Sequence, residues 1–493
     1  MSTSMMAEWM KAQKLKAPAM KSAPAFYRNL EEALDVRRRD HGLYTIKSNI
    51  WKDGDAIDFS SNDTLSLGAS GALRKEFMQE LDRHPDIPPG AGSSRVMDGN
   101  YAYLETVEDE IARFHGAEAG LILGSGFEAN LAIFAAIPRS GDAIIYDELV
   151  HASTHDGMQN SQAVTRVPFR HNDTESFRDA LVSVYDSQSL IRQGKRCVIV
   201  AVESFYSMDG DICPLRELIT ASKDIFPGGN VQFLIDEAHS TGVVGPKGAG
   251  LVCELGLERE VAIRLHTFGK ALSASGGNHE TLARFNDVNY VIAIILGNKT
   301  IKRALVNLAR PVIYTTAPAF SVVAAVRAGY NLLKSGQTKP AQENVQRLVR
   351  HLYKTINSNA IWEEATKRGI LSVPLREDWE EQPFLTHIVP IWTRQRYSYW
   401  LVFHLQFSKF CAFPIEYPTV PKGQSRVRVA FHANNTEDQV EGLVSAICDW
   451  AQEMIEIEKC VGNGNRIPKA AREVYAIMGD ENVGRSRPKA SQS

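Results

Sequence analysis

The most informative stretch of this 493-residue chain reads VQFLIDEAHSTG, at residues 231–242. Its mostly apolar start, 231–235, predicts a buried strand that ends in the acid Asp236. In an α/β sheet, ligands collect at the carboxyl ends of the strands, so Asp236 is placed to face a ligand. Taken alone, however, an acid at this point serves equally well as the N-cap of a helix.

This stretch lies inside a region where helical and strand-like segments alternate. The spacing of apolar residues predicts helices over 104–114 and 129–136, and short apolar runs predict several strands. The strand-like runs lie at 119–123, 143–146, 197–202 and 231–235. Such alternation is typical of an α/β fold with a mostly parallel sheet covered by helices.

The outer parts of the chain read differently. Residues 30–42 resemble an exposed helix that ends at a glycine, and 57–67 resemble a short strand followed by a polar turn. Strand-like runs at 387–392 and 426–431 precede a final helical run at 438–455. The sequence therefore predicts an N-terminal arm and helix over 1–58, a large domain over 59–335, a small C-terminal domain over 336–484 and a disordered tail over 485–493.

The composition narrows the function classes. A net charge of −3 gives no basic field for nucleic acid, and no apolar run is long enough to predict a membrane span. Six cysteines are scattered without CxxC spacing, so we expect neither disulfides nor a metal site, and a reducing, cytoplasmic location. The first twenty residues lack the features of a signal or transit peptide, although organellar import stays open.

A second informative stretch, HTFGKALSASGG at 266–277, places Lys270 among small residues. A lysine with such neighbours can approach an aldehyde closely and form a Schiff base, although an isolated lysine is nearly always a solvated surface group. Pyridoxal 5'-phosphate (PLP) chemistry needs both a lysine and an acid that keeps the pyridine nitrogen protonated. Asp236 followed by Lys270 supplies this pair in the order used by fold-type I PLP enzymes.

At this level of detail the chain resembles the α-oxoamine synthase family, and within it the 8-amino-7-oxononanoate synthase branch. The resemblance spans about residues 30–455 and rests on ordered motifs around Asp236 and Lys270 and elsewhere. The motifs are FSSNDTLSLG, GAGSSRVMDGN, GSGFEANL, DELVHASTHDGMQNS, ESFYSMDGDICPL, IDEAHSTGVVGPKGAG, HTFGKALSASGG and YPTVPKGQSRVRV. The resemblance implies a fold-type I PLP transferase, with a large mostly parallel sheet domain and a smaller C-terminal α+β domain.

The resemblance also implies roles around the cofactor ring. Lys270 would hold PLP as a Schiff base and later move the Cα proton, and Asp236 would pair with the pyridine nitrogen. His239 and Ser207 would hydrogen-bond the phenolic oxygen. His151 would stack on the ring and could donate a proton to the developing acyl oxygen; a packed core histidine is the alternative for this residue.

The cofactor phosphate would be held by residues from two chains, which implies a homodimer. Backbone N–H groups at the start of a helix suit such an anion. The residues implied are Ser125, Gly126, Phe127 and Thr267 of one subunit, with Thr315 and Thr316 of its neighbour.

The implied substrate residues are Arg428, for the amino acid carboxylate, with Thr419 and Asn62 near it. Arginine suits a planar, bidentate contact with a carboxylate. A purely structural turn role stays open for Thr419 and Asn62. The chain departs from the family at Tyr44, where carboxylate-reading relatives carry arginine, at Leu104, where a histidine is usual, and in a long stretch from 277 to 309.

The implied reaction is the decarboxylative condensation of a small amino acid with an acyl thioester, which gives an α-amino ketone. The sequence leaves open whether the thioester is carried by coenzyme A or an acyl carrier protein. Biotin synthesis and a specialised pathway, such as release of a polyketide chain, both stay open. So do the functions of a PLP aminotransferase and of a non-catalytic partner subunit.

Overall fold

The computed structural model describes residues 9, 11–39, 42–45, 55–274, 292–417, 419–459 and 466–477. The tail predicted over 485–493, and the part of the long stretch before residue 292, lie outside these residues. The described chain forms two compact units. One comprises Asn62–Gln346 with His432–Asn434, and the other comprises Met1–Ser61, Arg347–Phe431 and Asn435–Ser493.

Thirteen strands form three sheets in the described part of the chain. They are β1 Ile57–Asp58, β2 Ala119–Leu123, β3 Ala143–Asp147, β4 Thr165–Phe169, β5 Val198–Glu203, β6 Val231–Asp236, β7 Val261–Thr267, β8 Ala293–Gly297, β9 Leu371–Ser372, β10 Ile388–Thr393, β11 Phe410–Cys411, β12 Phe413–Ile415 and β13 Arg426–Ala430.

The helices lie between and around these strands in the sequence. The α-helices are Ala25–Arg39, Ala72–Asp82, Ala102–Phe114, Gly126–Ala136, Ala152–Gln159, Thr174–Ser187, Ser189–Arg192, Leu215–Ile225, Leu251–Glu254, Lys299–Leu308, Arg310–Tyr314, Phe320–Lys334, Lys339–Asn357, Ala360–Lys367, Tyr397–Phe407, Glu437–Lys459 and Lys469–Ile477, and short 3₁₀ turns lie at Ala17–Met20, Pro246–Gly248 and Trp379–Glu381. Among the described helices, none combines the length and apolar character that crossing a membrane requires.

The unit Asn62–Gln346 contains a seven-stranded sheet in the order β2-β8-β7-β6-β5-β3-β4. Strand β8 is antiparallel to β2 and β7, whereas β7, β6, β5, β3 and β4 pair in parallel. The mostly parallel sheet predicted from the sequence is therefore confirmed. The antiparallel strand β8 falls in the stretch from 277 to 309, which the sequence analysis expects to be longer than usual for the family.

Successive side chains in a strand point to opposite faces, and both faces of this sheet are buried. Ile144 and Leu234 belong to one apolar cluster, with the helix Gly126–Ala136. Their chain neighbours Ile145 and Ile235 belong to another cluster on strands β3 and β6. Burial on both faces explains why these strands read as nearly continuous apolar runs rather than as alternating patterns.

The other unit is built on the antiparallel sheet β12-β13-β10-β9 and the short parallel pair β1-β11. The helix Tyr397–Phe407 contacts segments from both ends of the chain. The Trp9 ring stacks on Tyr399 with centroids 5.8 Å apart, and the Tyr475 ring meets Phe403 at 6.2 Å. A small aromatic cluster thus joins the N-terminal segment to the helix Lys469–Ile477.

Candidate active site

Polar side chains end four neighbouring strands of the seven-stranded sheet. Asp147 ends β3, Glu203 ends β5, Asp236 ends β6 and Thr267 ends β7. Because these strands run side by side in parallel, their carboxyl ends meet at one edge of the sheet. Glu203 and Asp236 even occupy paired register positions. This edge is where the sequence predicts the cofactor.

A chain of hydrogen bonds holds the Asp236 carboxylate, which is 8% exposed. Its Oδ1 accepts from the Ala238 N–H at 3.0 Å, and its Oδ2 accepts from Asn130 Nδ2 at 3.1 Å. Asn130 Nδ2 also donates to Ser153 Oγ at 2.9 Å, and this oxygen lies 2.7 Å from His151 Nδ1. The chain therefore connects the predicted ring-stacking histidine to the predicted partner of the pyridine nitrogen.

The same contacts define the state of His151. The Ser153 N–H donates to His151 Nδ1 at 3.2 Å, so Nδ1 is an acceptor and the neutral ring carries its proton on Nε2. Solvent reaches the side chain, yet the loss of hydration to surrounding protein lowers the pKa of His151; Lys270 acts in the same direction and Asp236 opposes it. A neutral histidine with an Nε2–H group is the result.

Lys270 lies beside His239, with Nζ 2.9 Å from Nε2. His239 is 5% exposed. The turn after the lysine is fixed by Ser273, whose N–H donates to the Lys270 carbonyl at 2.8 Å and whose Oγ donates to Asp63 Oδ1 at 2.6 Å. The last contact brings the turn that contains Asn62 next to the lysine loop.

The predicted phosphate-binding residues lie where β2 leads into the helix Gly126–Ala136. Ser125 is the N-cap, and its Oγ accepts from the Glu128 N–H at 3.0 Å. A Cβ atom at Gly126 would lie 2.7 Å from Thr267 Cγ2, so glycine is what permits the helix start to approach the end of β7. The Phe127 ring lies 6.3 Å from the His151 ring. Backbone N–H groups and the helix dipole favour a phosphate at this point.

These residues fit PLP. They offer an amine at Lys270, a buried and hydrogen-bonded carboxylate at Asp236, and an anion site at Ser125 and Thr267. All of them belong to one compact unit. Lys270 would carry the cofactor covalently, Asp236 would keep its pyridine nitrogen protonated, and His239 would contact its phenolic oxygen.

The remaining predicted cofactor residues lie in the same unit. Ser207 belongs to the loop that follows β5 and is partly buried. Thr315 and Thr316 are exposed after the helix Arg310–Tyr314. Thr316 forms an isolated antiparallel bridge with Ser94, and Thr315 hydrogen-bonds Glu128, two residues after Gly126.

The three other predicted substrate residues belong to the unit that holds the antiparallel sheet. Arg428 lies in β13, between β10 and β12, and is 8% exposed. Burial lowers the pKa of Arg428 to about 10, which leaves the guanidinium charged at neutral pH. Thr419 is exposed in a turn, and exposed Tyr44 lies under the Arg37 guanidinium, 5.6 Å from the ring centroid.

Sequence reasoning missed Asn130 and Glu203. Both stand inside family motifs, GSGFEANL and ESFYSMDGDICPL, but nothing local distinguishes them from helix and strand residues. Burial, followed by the charge of Asp236, raises the pKa of Glu203 well above its usual range, and its carboxyl accepts the backbone N–H of His151. Burial and the neighbouring charge thus favour the protonated form of Glu203. The signal that could have found it is the register of β5 against β6.

Comparison with known proteins agrees with this geometry. The model of one family, described as aminotransferase class I and II, matches residues 54–447. The chain is 56% identical to an aminoacyl transferase sphA of Aspergillus fumigatus over 96% of this chain and 97% of that protein. It is 40% identical to an 8-amino-7-oxononanoate synthase of Emericella nidulans over 86% of this chain and 96% of that protein.

Among solved structures, the fold resembles that of a serine palmitoyltransferase from S. paucimobilis with PLP and myriocin bound. That match has a TM-score of 0.66 at 22% identity and covers 82% of this chain and 88% of the other. A Francisella tularensis 8-amino-7-oxononanoate synthase matches with a TM-score of 0.59 at 24% identity, over 82% of this chain and 99% of the other.

Asn130→Leu should destabilise the protein, because it removes the amide that donates to Asp236 and Ser153 inside the protein. We expect a loss of about 1–3 kcal/mol in the free energy of unfolding, measured by urea denaturation. The control is Asn307→Leu, at an exposed amide that donates to the Arg303 carbonyl, where we expect a change within about 0.5 kcal/mol. Equal effects of the two substitutions would contradict the importance of the Asp236 network.

Proposed function

Because the chain belongs to the aminotransferase class I and II family, we propose that it is a PLP-dependent acyltransferase that condenses a small amino acid with an acyl thioester. The reaction releases the thiol and carbon dioxide and leaves an α-amino ketone. The observation that carries the proposal is the hydrogen-bond chain from His151 to Asp236 in the unit that also holds Lys270.

The cofactor, when bound, supplies an electron sink that makes the Cα proton of the amino acid acidic. The protein supplies the proton transfers. Lys270 Nζ, once released by the substrate amine, removes the Cα proton as a general base. His239 Nε2, 2.9 Å from Nζ, keeps the amine in place within the site.

His151 is suited to the acyl transfer step. Its Nδ1 is occupied by Ser153, so the Nε2–H is the donor that remains for a substrate. As the Cα carbon attacks the thioester carbonyl, negative charge develops on the acyl oxygen, and a fixed N–H donor stabilises that charge. The lowered pKa of His151 keeps the ring neutral, so this donor is an imidazole rather than an imidazolium.

We assign the amino acid carboxylate to Arg428, with Thr419 and Asn62 as further substrate contacts. A buried guanidinium offsets its lost hydration by pairing with an anion, and its fork geometry matches a carboxylate. Fixing the carboxylate also fixes which Cα bond reacts.

Lys270→Ala should abolish turnover while the fold survives. Since the lysine is both the covalent anchor and the base, we expect the product rate to fall by about three orders of magnitude or more, and the visible absorbance of the lysine-bound cofactor to disappear. Lys299→Ala, at an exposed lysine 3.9 Å from Glu118, is the control and should keep both. Normal turnover in Lys270→Ala would show that the assignment is wrong, and absence of the band from the unaltered protein would indicate a non-catalytic partner subunit.

A homodimer completes the proposed site. Three exposed apolar side chains belong to the segments that contain or contact the predicted phosphate residues: Phe127 is 42% exposed, Tyr314, next to Thr315, is 70% exposed, and Met97, three residues after Ser94, is 72% exposed. The backbone bridge between Ser94 and Thr316 connects the segment that contains Met97 to the segment that contains Tyr314. An exposed apolar patch of this kind is typical of a protein–protein interface. A second copy of the chain would cover it and would contribute its Thr316 to the phosphate site.

Mixing two inactive variants tests the shared site. If Thr315 and Thr316 serve the neighbouring subunit, a Lys270→Ala chain combined with a Thr315→Ala, Thr316→Ala chain should regain part of the activity, because mixed dimers contain one intact site. Activity is measured after co-refolding, and oligomeric state by sedimentation. Full activity in a monomer fraction would refute the shared site.

For the acyl donor, we propose a chain that is neutral at its far end. Tyr44 stands where carboxylate-reading relatives carry arginine, and Arg38 is occupied by Asp35 and Glu31. A terminal carboxylate without a cationic partner loses its hydration uncompensated, at a cost of several kcal/mol. Arg37, which lies over the Tyr44 ring, is the nearby cation that would change this conclusion. The 56% identity to an aminoacyl transferase, against 40% to an oxononanoate synthase, supports a role outside biotin synthesis.

The test compares pimeloyl thioester with an uncharged acyl thioester of equal length, each presented on coenzyme A and on a carrier protein. We expect preference for the uncharged chain, and a gain of pimeloyl activity in Tyr44→Arg. A clear preference of the unaltered enzyme for pimeloyl would overturn the proposal and return the protein to biotin synthesis. Loss of that preference in Arg37→Gln would then identify the cation.

A further inference from the structure

A histidine just outside the cofactor site links two carboxylates. His171 follows β4, and its Nδ1 lies 2.9 Å from Asp147 Oδ1 while its Nε2 lies 2.6 Å from Asp211 Oδ2. Asp147 is fully buried at the end of β3. A ring that donates from both nitrogens is an imidazolium, and its hydrogen bonds to carboxylates are of the strong, charge-assisted kind.

The electrostatics agree with this geometry. Burial by itself would lower the pKa of His171, but the hydrogen bonds to Asp147 and Asp211 outweigh it and raise the pKa to about 10. The histidine is therefore a fixed positive charge between two negative charges throughout the neutral range. Removing one partner would leave a buried charge uncompensated, which is costly.

Asn172 repeats the same connection. Its backbone N–H donates to Asp147 Oδ2 at 2.9 Å, and its Nδ2 donates to Asp211 Oδ2 at 2.7 Å. The residue adopts a left-handed backbone conformation, with φ at 53°, which asparagine tolerates better than most residues. Two consecutive residues thus bridge the same pair of acids.

Each acid belongs to a loop that enters the cofactor site. Asp147 lies four residues before His151, and it fixes the intervening turn by accepting from the Leu149 N–H at 2.9 Å with its carboxylate and from the Val150 N–H at 3.2 Å with its carbonyl. The turn leads directly into the helix Ala152–Gln159, whose N-cap is His151.

Asp211 closes the loop that carries Ser207. The Tyr206 N–H donates to the Asp211 carbonyl at 3.1 Å, and the Gly210 N–H donates to the Tyr206 carbonyl at 2.8 Å. The Tyr206 ring packs edge-on against His171, with centroids 4.4 Å apart. The loop is therefore held both by its own backbone and by His171.

We propose that His171 is a positioning residue that couples the His151 turn to the Ser207 loop and so sets two contacts of the cofactor ring at once. The proposal rests on the proposed function, since only a bound cofactor gives His151 and Ser207 a common partner. His171 itself touches neither of the residues that we assign to proton transfer in any described contact. Its effect on catalysis passes through Asp147 and Asp211.

The test uses the holoenzyme and the variants His171→Asn, Asp211→Asn and their combination. We expect each single change to lower kcat by about 10- to 100-fold, the range that a small misplacement of a reacting group produces, with a smaller change in KM for the amino acid. The pH midpoint of the visible cofactor absorbance should shift in both variants, because the partners of the ring move. The double variant should be no worse than the more affected single variant, because both changes break one bridge.

The control is His351→Asn, at a surface histidine whose Nε2 lies 3.0 Å from Glu441. This change should leave kcat and the absorbance midpoint as they are. Lower thermal stability in His171→Asn with unchanged kcat and spectrum would overturn the inference. If His171→Asn does not fold, the same readouts on Asp211→Asn decide the matter. A missing cofactor band in the unaltered protein would instead sink the proposed function.

The bridge also has a pH signature. Because the pKa of His171 is raised from 6.5 to about 10 by folding, its stabilisation is fully present below about pH 6.5 and is lost as the pH rises through about 10. Unaltered protein should therefore lose stability relative to His171→Asn between these limits, and a constant difference would contradict the charged bridge. The other titratable groups around the bridge are Glu148, which accepts the backbone N–H of His171, Tyr206, Glu203 and Cys213.

Discussion

The constraint on which the site depends is the burial of one negative charge at the end of β6. Taking a carboxylate such as Asp236 out of water costs several kcal/mol unless hydrogen bonds and a positive partner offset it. The Ala238 N–H and the Asn130 amide provide the hydrogen bonds. Burial and the charge of Asp236 raise the pKa of Glu203, in the paired position on β5, well above its usual range, which disfavours a second negative charge there. A protonated pyridine ring is the positive partner that the Asp236 carboxylate suits.

Much of the fold could be predicted from the sequence because its strands are buried on both faces. Strand β2 lies where the apolar run at 119–123 predicts it, and β3, β5 and β6 each extend one residue further into a polar side chain, Asp147, Glu203 or Asp236. A strand pattern is defined by its apolar residues, so it does not include the polar residue at the end of each strand. Asp236 is singled out by its position after the apolar run, whereas Asp147 and Glu203 are not. The helix predicted over 30–42 begins earlier, at Ala25. The sequence pattern does not indicate this start, because the apolar side chains in the first part of the helix are exposed.

Candidate site residues could be named from the sequence where a single motif contains them, as for Lys270 and Asp236. They could not be named where the function depends on partners distant in the sequence. Asn130 reaches Asp236 across 106 residues, and His171 reaches Asp211 across 40. An asparagine in a helix or a histidine after a strand carries no local sign of such a contact. Because the sheet brings together residues that are far apart in the sequence, pattern analysis does not find these contacts. The roles of all the candidate site residues, Lys270 and Asp236 included, stay predictions.

The aromatic contacts on the helix Tyr397–Phe407 bear on where the folding unit begins and ends. The region shared with the family is 54–447, yet Trp9 and Tyr475, outside it on either side, pack on the rings of Tyr399 and Phe403. The family model therefore covers a shorter part of the chain than the part that packs together in this unit. A fragment limited to residues 54–447 would expose the rings of Tyr399 and Phe403 to solvent and to other molecules. Its failure in solution would be a matter of aggregation, and would say nothing about catalysis.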